Sequence, residues 1–510
     1  MAGDTVKFKE VEDTGKMTFW LAVAIAATVV GSPWQFGYNM GVVNAPIDVI
    51  KQFYGDCYNK TFNEVIDKDD IDWYWAVTVS VYAIGGMIGS FIAGFFADLF
   101  GRKKALMLNN ILILIAGSMI FSAKYVTSFP LVIGLMVGGR IVVGINAGAN
   151  TIIGPMYTAE IAPVKLRGTL GTMFQFGVVL AIVVAQVLGL DTIMGNAEYW
   201  NYLMGLLLFI PATIQICLFL IVPESPRYIL INKSDKEGAR AALQKLRGCT
   251  DVDRDIEQLE QENALEKAEA SVGVMDIVTS PGMREPLIIA LTLQVAQQLS
   301  GINAVNFYST KIFKAATLST FQSKLATIGT GVSQLLMIMP TIFLMDRAGR
   351  RILMLIGLGG MCLFSGGVVL FTLLTRLNQW FMIGTLISVF GIMGAFSVAP
   401  GPVPWLITAE LFSQGPRPTA MSMAGTVNWV MTFIVGLIFQ YFLNLLKDYT
   451  FLMFMVLDYI FWLFVFLYVP ETKNRHIDDI VESFRRKSKS SQRAPKLNVE
   501  EANAADDSHV

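Results

Sequence analysis

The sequence predicts an all-α membrane protein, with twelve transmembrane helices in two pseudo-symmetric six-helix halves and a short cytoplasmic helical linker domain. The first reason is composition: of 510 residues, 54% are hydrophobic and only 15% are charged. Soluble domains carry about 25% charged residues. The second reason is a series of apolar runs near the roughly 20 residues that a helix needs to cross a bilayer. The third is an internal repeat that divides the chain into two halves.

The apolar runs define twelve predicted spans, named span 1 to span 12 in chain order. Helices are expected because they satisfy every backbone polar group within hydrocarbon. The spans lie at 17–40, 72–97, 105–123, 130–150, 170–190, 200–222, 286–308, 325–345, 352–375, 380–408, 419–443 and 449–469.

The spans group into an N-terminal half at 17–222 and a C-terminal half at 286–473. Residues 223–285 form the linker, in which 235–246 and 253–270 have the charge-laced pattern typical of short amphipathic helices. The N-terminal tail is 1–16, and the polar C-terminal tail at 474–510 is expected to be disordered.

The distribution of cations predicts the orientation. Short loops after spans 2 and 8 carry clusters such as Arg102-Lys103-Lys104 and Arg350-Arg351, whereas opposite loops carry mostly single cations. Cation-rich loops stay in the cytoplasm. We therefore expect a multi-pass plasma-membrane protein with both termini cytoplasmic and the loop 41–71 outside. That loop contains the sequon Asn59-Lys60-Thr61, so Asn59 is a predicted glycosylation site.

The sequence disfavours several function classes. The net charge of −1 indicates no attraction to nucleic acid. The two histidines, His476 and His509, lie in the C-terminal tail, and the cysteines have no metal-ligand spacing. No phosphate-binding loop or nucleophile–base arrangement is recognisable. We predict no enzyme activity, catalytic residue, cofactor or metal; the expected partners are a small-molecule substrate and the bilayer, with no obligate protein partner indicated.

The internal repeat recurs at charged motifs on the cytoplasmic ends of the spans. Gly101 corresponds to Gly349, Glu160 to Glu410 and Pro223 to Pro470, at offsets of 248, 250 and 247 residues. Such a repeat is typical of transporters with two parallel halves. Opposite charges at these ends could bridge the halves and hold the inner face shut, although the cations alone could simply signal topology. The predicted gating residues are Asp98, Arg102, Glu160, Arg167, Glu224, Arg227, Asp346, Arg350, Arg351, Glu410, Arg417 and Glu471.

Span 7 contains a cluster of carboxamides, Gln297, Gln298 and Asn303. A buried amide without a partner costs roughly 1–3 kcal/mol, so the cluster needs internal partners or a polar ligand. Each carboxamide offers two donors and an acceptor, which suits a neutral, hydroxyl-rich molecule. The alternative is hydrogen bonding between helices, which is common for Asn and Gln in membranes.

Longer motifs carry a family resemblance over about 17–475. The segments GRKK, PESPRYIL, QQLSGINAVNFYSTKIF, DRAGRR, PGPVPW and VPETK together resemble the animal facilitative hexose transporters, in the sugar porter branch of the major facilitator superfamily. The resemblance implies the major facilitator fold, alternating-access uniport and a central site built mostly by the C-terminal half. The sugar-binding residues that it implies are Gln175, Gln297, Gln298, Asn303, Trp405, Asn428 and Trp429.

Span 10 is interrupted by Pro400, Gly401, Pro402 and Pro404. A helix with three prolines cannot complete its hydrogen-bond ladder and should bend or unwind. This could be a static kink. The resemblance implies a hinge that lets Trp405 swing as the site closes.

The sugar is predicted to be D-glucose, with fructose or another hexose or polyol as the alternative. Several positions depart from the family pattern: Gln334 and Thr432 stand where Asn is usual, Ser397 where Glu is frequent, and Gln294-Val295-Ala296 where glucose-preferring members often have Gln-Leu-Ser. Trp405 favours glucose, because fructose-preferring relatives tend to have a smaller residue there.

Passive transport is the predicted mechanism. Proton-coupled bacterial relatives carry Asp where this chain has Asn39, which cannot titrate, and intramembrane carboxylates are the usual proton carriers. The alternatives are a proton-coupled sugar symporter or urate-type carrier, and a non-transporting sugar sensor. A sensor would be expected to have a longer cytoplasmic tail.

Overall fold

A computed structural model describes residues 16–163, 166–268, 273–413, 415–473, 482 and 484. Within these ranges the regular elements are α-helices and short 3-10 turns. Of the predicted tails, 1–16 and 474–510, only residues 16, 482 and 484 are described, and the rest lie outside the described residues.

The N-terminal half contains spans 1–6, and span 2 ends at Gly101, whose φ of 92° suits glycine. The six spans are Phe19–Gly41, Lys68–Phe100, Arg102–Ala123, Phe129–Ile161, Arg167–Leu188, and a sixth made of Trp200–Met204, a 3-10 turn and Phe209–Ile221.

The C-terminal half contains spans 7–12, two of which are broken. Span 7 is Pro281–Leu299 followed by Ile302–Ala315, and span 10 is Met382–Val398 followed by Val403–Glu410. The unbroken spans are Thr320–Ala348, Arg350–Thr375, Arg417–Leu446 and Thr450–Tyr468.

Ten helical segments among the described residues are long and apolar enough to cross a membrane. The 52-residue segment Arg417–Tyr468 contains two of the spans, 11 and 12, joined by a 3-10 turn. Span 8, with 29 residues, is not among the ten. Counting it, and dividing the longest segment, gives the twelve spans that the sequence predicts.

Helices also lie outside the spans. The predicted linker helices are present as Lys236–Arg247 and Asp253–Ala268, flanked by Pro226–Ile231 and Val274–Thr279. The segment 41–71, expected to be a loop, instead contains the helix Ile47–Phe62. We call the side of the molecule with this helix the sequon face and the side with the linker helices the linker face.

Within the N-terminal half, spans 2 and 4 meet through glycines. A β-carbon on Gly85 or Gly89 would overlap the backbone of span 4, and one on Gly144 or Gly148 would overlap that of span 2. Small residues allow this close approach, which provides dispersion energy in a membrane where the hydrophobic effect between helices is absent. Among the described residues, the two halves meet mainly where span 2 packs against span 11, span 5 against span 8 and span 1 against span 7.

Candidate functional site

The carboxamide cluster of span 7 is positioned by a helix break that the sequence analysis did not predict. The first part of span 7 ends at Leu299, and Gly301 has a φ of 90°. A side chain at Gly301 would be strained, and a β-carbon there would lie 3.1 Å from Phe454. The break leaves Gln297 and Gln298 on one side and Asn303 on the other.

Gln297 links the two broken spans. Its Nε2 donates to the backbone oxygens of Pro400 at 2.8 Å and Gly401 at 2.5 Å. These carbonyls lie in the predicted interruption of span 10, between Val398 and Val403. A helix break leaves carbonyls that need new donors, and the Gln297 amide supplies one.

Five carboxamides form a continuous hydrogen-bonded group, the amide ring. Asn428 Nδ2 donates to Gln297 Oε1 at 2.5 Å and to Gln294 Oε1 at 2.7 Å. Gln298 Nε2 donates to Asn428 Oδ1 at 2.9 Å, and Asn303 donates to Gln298 Oε1. All five side chains are buried. The structure therefore brings together four of the seven sugar-binding residues that the resemblance implied.

Gln294 is the member of the amide ring that the sequence analysis missed as a site residue. It lies one helical turn before Gln297 and Gln298, so helical spacing could have identified it. Its Nε2 is buried and has no partner among the described residues. An unpaired buried amide is costly, which makes this donor a candidate contact for a ligand.

Trp429 connects the amide ring to the N-terminal half. Its indole is 6% exposed and meets the rings of Phe36 and Tyr82 edge-on, both at 5.9 Å between centroids. A β-carbon on Gly86 of span 2 would overlap the indole. This tryptophan lies at the seam between the halves rather than at a membrane interface.

The other two predicted sugar-binding residues are half-buried. Trp405 lies beside Gly425 of span 11, with Cη2 3.6 Å from where a β-carbon would stand. Gln175 of span 5 takes no part in the hydrogen bonds of the amide ring described above.

Three residues that depart from the family pattern are also buried. Ser397 donates to Met393 O at 3.1 Å and Thr432 to Asn428 O at 2.9 Å, so each hydroxyl bonds to its own helix. Gln334 Oε1 has no partner among the described residues.

A second buried amide network lies inside the N-terminal half. Gln35 donates to Asn110 at 2.7 Å, Asn110 to Gln215 at 2.9 Å, and Asn150 to Gln35 at 3.0 Å. It joins spans 1, 3, 4 and 6. These amides satisfy one another, so the network is a clear case of amide bonding between membrane helices.

Two ionisable side chains within the spans were missed by the sequence analysis. Arg140 of span 4 is fully buried; its guanidinium donates to Asn39 O at 3.1 Å and lies 4.7 Å from the Tyr82 ring centroid. Asp458 of span 12 is also fully buried, and neither carboxylate oxygen has a partner among the described residues.

The charged motifs on the linker face form one cluster in each half. In the N-terminal half, Arg102 Nη2 pairs with Glu160 Oε1 at 3.0 Å and Nη1 with Asp98 at 3.2 Å. Glu224 accepts from Lys103 N at 2.8 Å. Ser225 donates to Glu160.

The C-terminal cluster repeats this arrangement. Arg350 Nη2 pairs with Glu410 Oε1 at 3.1 Å, and Glu471 accepts from Arg350 N at 2.9 Å. Thr472 donates to Glu410 at 2.5 Å, as Ser225 does to Glu160. The internal repeat of the sequence is thus also a repeat of side-chain contacts.

These ion pairs lie within one half and not across the halves, as the sequence analysis had suggested they could. Among the other predicted gating residues, Arg351 and Arg417 donate to the backbone oxygens of Phe466 at 2.5 Å and Phe412 at 3.2 Å, and Arg227 lies near Glu160. The side chains of Arg167 and Asp346 are outside the described set.

On the sequon face, by contrast, hydrogen bonds cross between the halves. Asn44, just after span 1, donates to Asn306 O at 2.9 Å and Ser309 Oγ at 2.6 Å, and accepts from Thr310 N at 3.2 Å. The Asn44 side chain thus bonds to a backbone carbonyl oxygen and to a backbone N–H group within one turn of span 7. This face is closed by polar contacts between the halves.

Comparisons with known proteins indicate the same family as the sequence motifs. The family model described as "Sugar (and other) transporter" matches residues 23–484. The chain is 42% identical over 477 residues to solute carrier family 2, facilitated glucose transporter member 1 of Gallus gallus, covering 93% of this chain and 95% of that protein. It is 39% identical over 491 residues to member 3 of that family from Ovis aries, covering 96% and 98%.

Among solved structures, the fold is similar to the xylose transporter XylE from E. coli in a partially occluded inward open conformation. The TM-score is 0.75 at 24% identity, covering 90% of this chain and all of that one.

Proposed function

This chain belongs to the sugar transporter family, and we propose that it carries hexoses, D-glucose above all, through the plasma membrane by facilitated diffusion. The observation that carries the proposal is the amide ring, at the middle of the 34-residue segment Pro281–Lys314. Its relatives named as facilitated glucose transporters, at 39–42% identity, support the choice of sugar.

The amide ring suits reversible binding of a sugar. Carboxamides donate and accept, so hydroxyl groups can replace the bonds that the five amides now make with one another. Such an exchange of hydrogen bonds changes the free energy little. Binding is therefore weak enough for release. The indoles of Trp405 and Trp429 supply flat apolar surfaces for the C–H face of a pyranose.

Alternating access follows from the contacts between the halves. Because the sequon face is closed by Asn44 and its partners on span 7, we infer that sugar enters and leaves the site from the linker face in this state. We assign the linker face to the cytoplasm because its loops are rich in Lys and Arg. Both termini then lie in the cytoplasm, and the exposed Asn59 lies outside, where glycosylation occurs.

The two charge clusters are the proposed inner gate. Glu160 and Glu410 now pair with arginines of their own halves, Arg102 and Arg350. When the sequon face opens, the linker-face ends of the halves approach, and the clusters come within range of each other. Ion pairs that form only in that state would stabilise it. The broken part of span 10 is the proposed hinge that accompanies this change.

Uniport is favoured by span 1. Asn39 cannot release a proton, and the buried Arg140 bonds to its backbone oxygen instead of to a carboxylate. Proton-coupled transport is the second candidate, because Asp458 is an intramembrane carboxylate. An unpaired buried carboxylate is strongly driven to its neutral form, which favours a permanently protonated structural group over a proton carrier.

Uptake into proteoliposomes tests the proposal. D-glucose, D-fructose and L-glucose are compared with and without a proton ionophore, in the wild type and in Asp458→Asn. We expect saturable D-glucose uptake that L-glucose does not match and that neither the ionophore nor the substitution abolishes. If the ionophore abolishes wild-type uptake and Asp458→Asn abolishes uptake by itself, transport is coupled to protons. If fructose is taken up faster than D-glucose, fructose is the preferred substrate.

A further inference from the structure

Three lysines of the C-terminal half reach carboxylates of the N-terminal half on the sequon face. Lys324 pairs with Asp191, which follows span 5. Lys314 pairs with Asp48, in the first turn of the helix Ile47–Phe62. Lys311 Nζ lies 3.7 Å from Oδ2 of Asp72, in the first part of span 2.

All three lysines belong to one hairpin of the C-terminal half. Two lie on the second part of span 7, Ile302–Ala315, and Lys324 lies in the first turns of span 8. The three carboxylates lie on three different elements of the N-terminal half. The pairs therefore attach this hairpin to the N-terminal half at three separate points.

Asp72 is the most heavily engaged of these carboxylates. In addition to Lys311, it accepts from Lys51 of its own half and lies 3.5 Å from Gln440 Nε2 of span 11. Its side chain is 10% exposed. One carboxylate thus contacts both span 7 and span 11 of the other half.

We propose that these three ion pairs form a lock that holds the sequon face closed and sets the balance between the two access states. This rests on the proposed function, because that balance determines how strongly sugar binds from each side. The pairs can exist only while the halves touch on this face. An interaction present in one of two states shifts the equilibrium by its difference in free energy.

The three pairs contribute unequally. The Lys324 side chain is only 3% exposed, whereas Lys314 and Lys311 are 30% and 34% exposed. Removing one partner of a buried pair leaves an uncompensated charge, which is far more costly than losing an exposed pair. Asp191→Asn should therefore strongly destabilise the state in which the sequon face is closed. Lys324→Met should shift the balance in the same direction but less, because it removes the buried charge together with the pair.

The chain offers a matched control on the same face. Arg376 pairs with Asp448, but both residues belong to the C-terminal half, after span 9 and before span 12. Arg376→Gln removes a cation and an ion pair from this face without touching the seam between the halves.

The test measures the KM of D-glucose for influx and for efflux in vesicles of known orientation. Apparent affinity scales with the fraction of transporter in the competent state. In Asp191→Asn we expect influx KM to fall and efflux KM to rise, each by about tenfold, and in the double variant Lys311→Met with Lys314→Met by about threefold. Lys324→Met should shift both values in the same directions by about two- to threefold, and Arg376→Gln should leave them within about twofold. Equal shifts in Arg376→Gln, or unchanged KM values in Asp191→Asn, would overturn the lock.

Charge reversal separates the lock from damage to the fold. The double variant Asp191→Lys with Lys324→Asp rebuilds the pair with its partners exchanged, so it should restore the ratio of the two KM values towards the wild type. A purely structural fault at these positions would leave the double variant no better than the singles.

A second readout needs no transport. Ser80 is buried where span 2 meets Gly436 of span 11. In a Cys57→Ser background, Ser80→Cys should react with a membrane-impermeant maleimide about tenfold faster when Asp191→Asn is added. If the wild type carries no glucose, the proposed function fails while this rate still decides the lock. An unchanged labelling rate would refute the lock even in an active transporter.

Discussion

Gln297 of span 7 donates to the carbonyl oxygen of Pro400 at 2.8 Å, in the gap where span 10 is broken. One side chain therefore satisfies the backbone of the proposed hinge and belongs to the proposed sugar site. In the proposed mechanism, a sugar hydroxyl that takes over the Gln297 amide releases the carbonyls of Pro400 and Gly401. These two hydrogen bonds would couple sugar binding to the movement of span 10.

Gln294→Leu distinguishes a sugar site from helix-to-helix bonding. Leucine removes the Oε1 that accepts from Asn428, which also donates to Gln297. It removes as well the buried Nε2 donor that has no described partner, and these opposite effects should keep the change in the free energy of unfolding within about 1 kcal/mol. If that donor meets a hydroxyl, the KM for D-glucose should rise about three- to tenfold, because one hydrogen bond contributes about 0.5–1.5 kcal/mol.

Transport assays and thermal denaturation of the same purified variant check this. Gln215→Leu is the comparison, because Gln215 bonds Asn110 and Ser32 in the N-terminal network. It should lower stability by about 1–3 kcal/mol. A Gln294→Leu transporter with an unchanged KM would favour the helix-bonding alternative.

Gly86→Ala should impair transport through Trp429. A β-carbon at Gly86 overlaps the indole that spans the seam between the halves, and overpacking costs about 1–3 kcal/mol. We expect D-glucose uptake to fall about tenfold at equal surface expression. Gly94→Ala is the control on the same span, since a β-carbon there meets nothing within 4 Å. Equal activity of the two variants would mean that Trp429 moves freely.

Asn39→Asp should introduce a pH dependence that the wild type lacks. The new carboxylate would lie in span 1 beside the buried Arg140, which now bonds Asn39 O. A buried carboxylate near a cation exchanges protons as the site changes its exposure. Uptake of the variant is expected to vary with external pH between about 5 and 8, while wild-type uptake stays constant. A strongly pH-dependent wild type would contradict passive transport.

Glu410→Gln tests the proposed inner gate. In the state described here it removes the Arg350–Glu410 pair, and in the opposite state it removes any pair with the N-terminal cluster. If the pair lost in the opposite state contributes more, the variant will populate that state less. Influx should then slow more than efflux, by about threefold or more. Arg240→Gln breaks an exposed ion pair with Asp253 in the linker and should leave both rates within twofold. A symmetrical loss in Glu410→Gln would indicate a local structural role.

Much of the fold was accessible from the sequence because its signals are local. Twelve apolar runs and the repeat of Gly101 at Gly349 predict two six-helix halves, and the prolines after Val398 predict the break in span 10. The break at Gly301 was missed because a single glycine in an apolar run carries little signal. The helix Ile47–Phe62 was missed because it is too polar to resemble a span.

The site was predicted in part, for a physical reason. Sequence identifies buried amides such as Gln297 and Asn428, but not which amides bond to each other. That depends on how the halves are positioned. For the same reason the sequence could not predict that Glu160 and Glu410 pair with arginines of their own halves and not with arginines of the other half. Asp458 was visible in the sequence of span 12 and was overlooked.

The central claim is that the amide ring binds the hexose that this chain carries. Uptake of labelled D-glucose into proteoliposomes by the wild type and by Gln297→Leu, at matched amounts of folded protein, tests it most directly. We expect saturable wild-type uptake and a loss of at least about tenfold in the variant, with the affinity for D-glucose reduced. Unchanged D-glucose uptake by Gln297→Leu would contradict the claim.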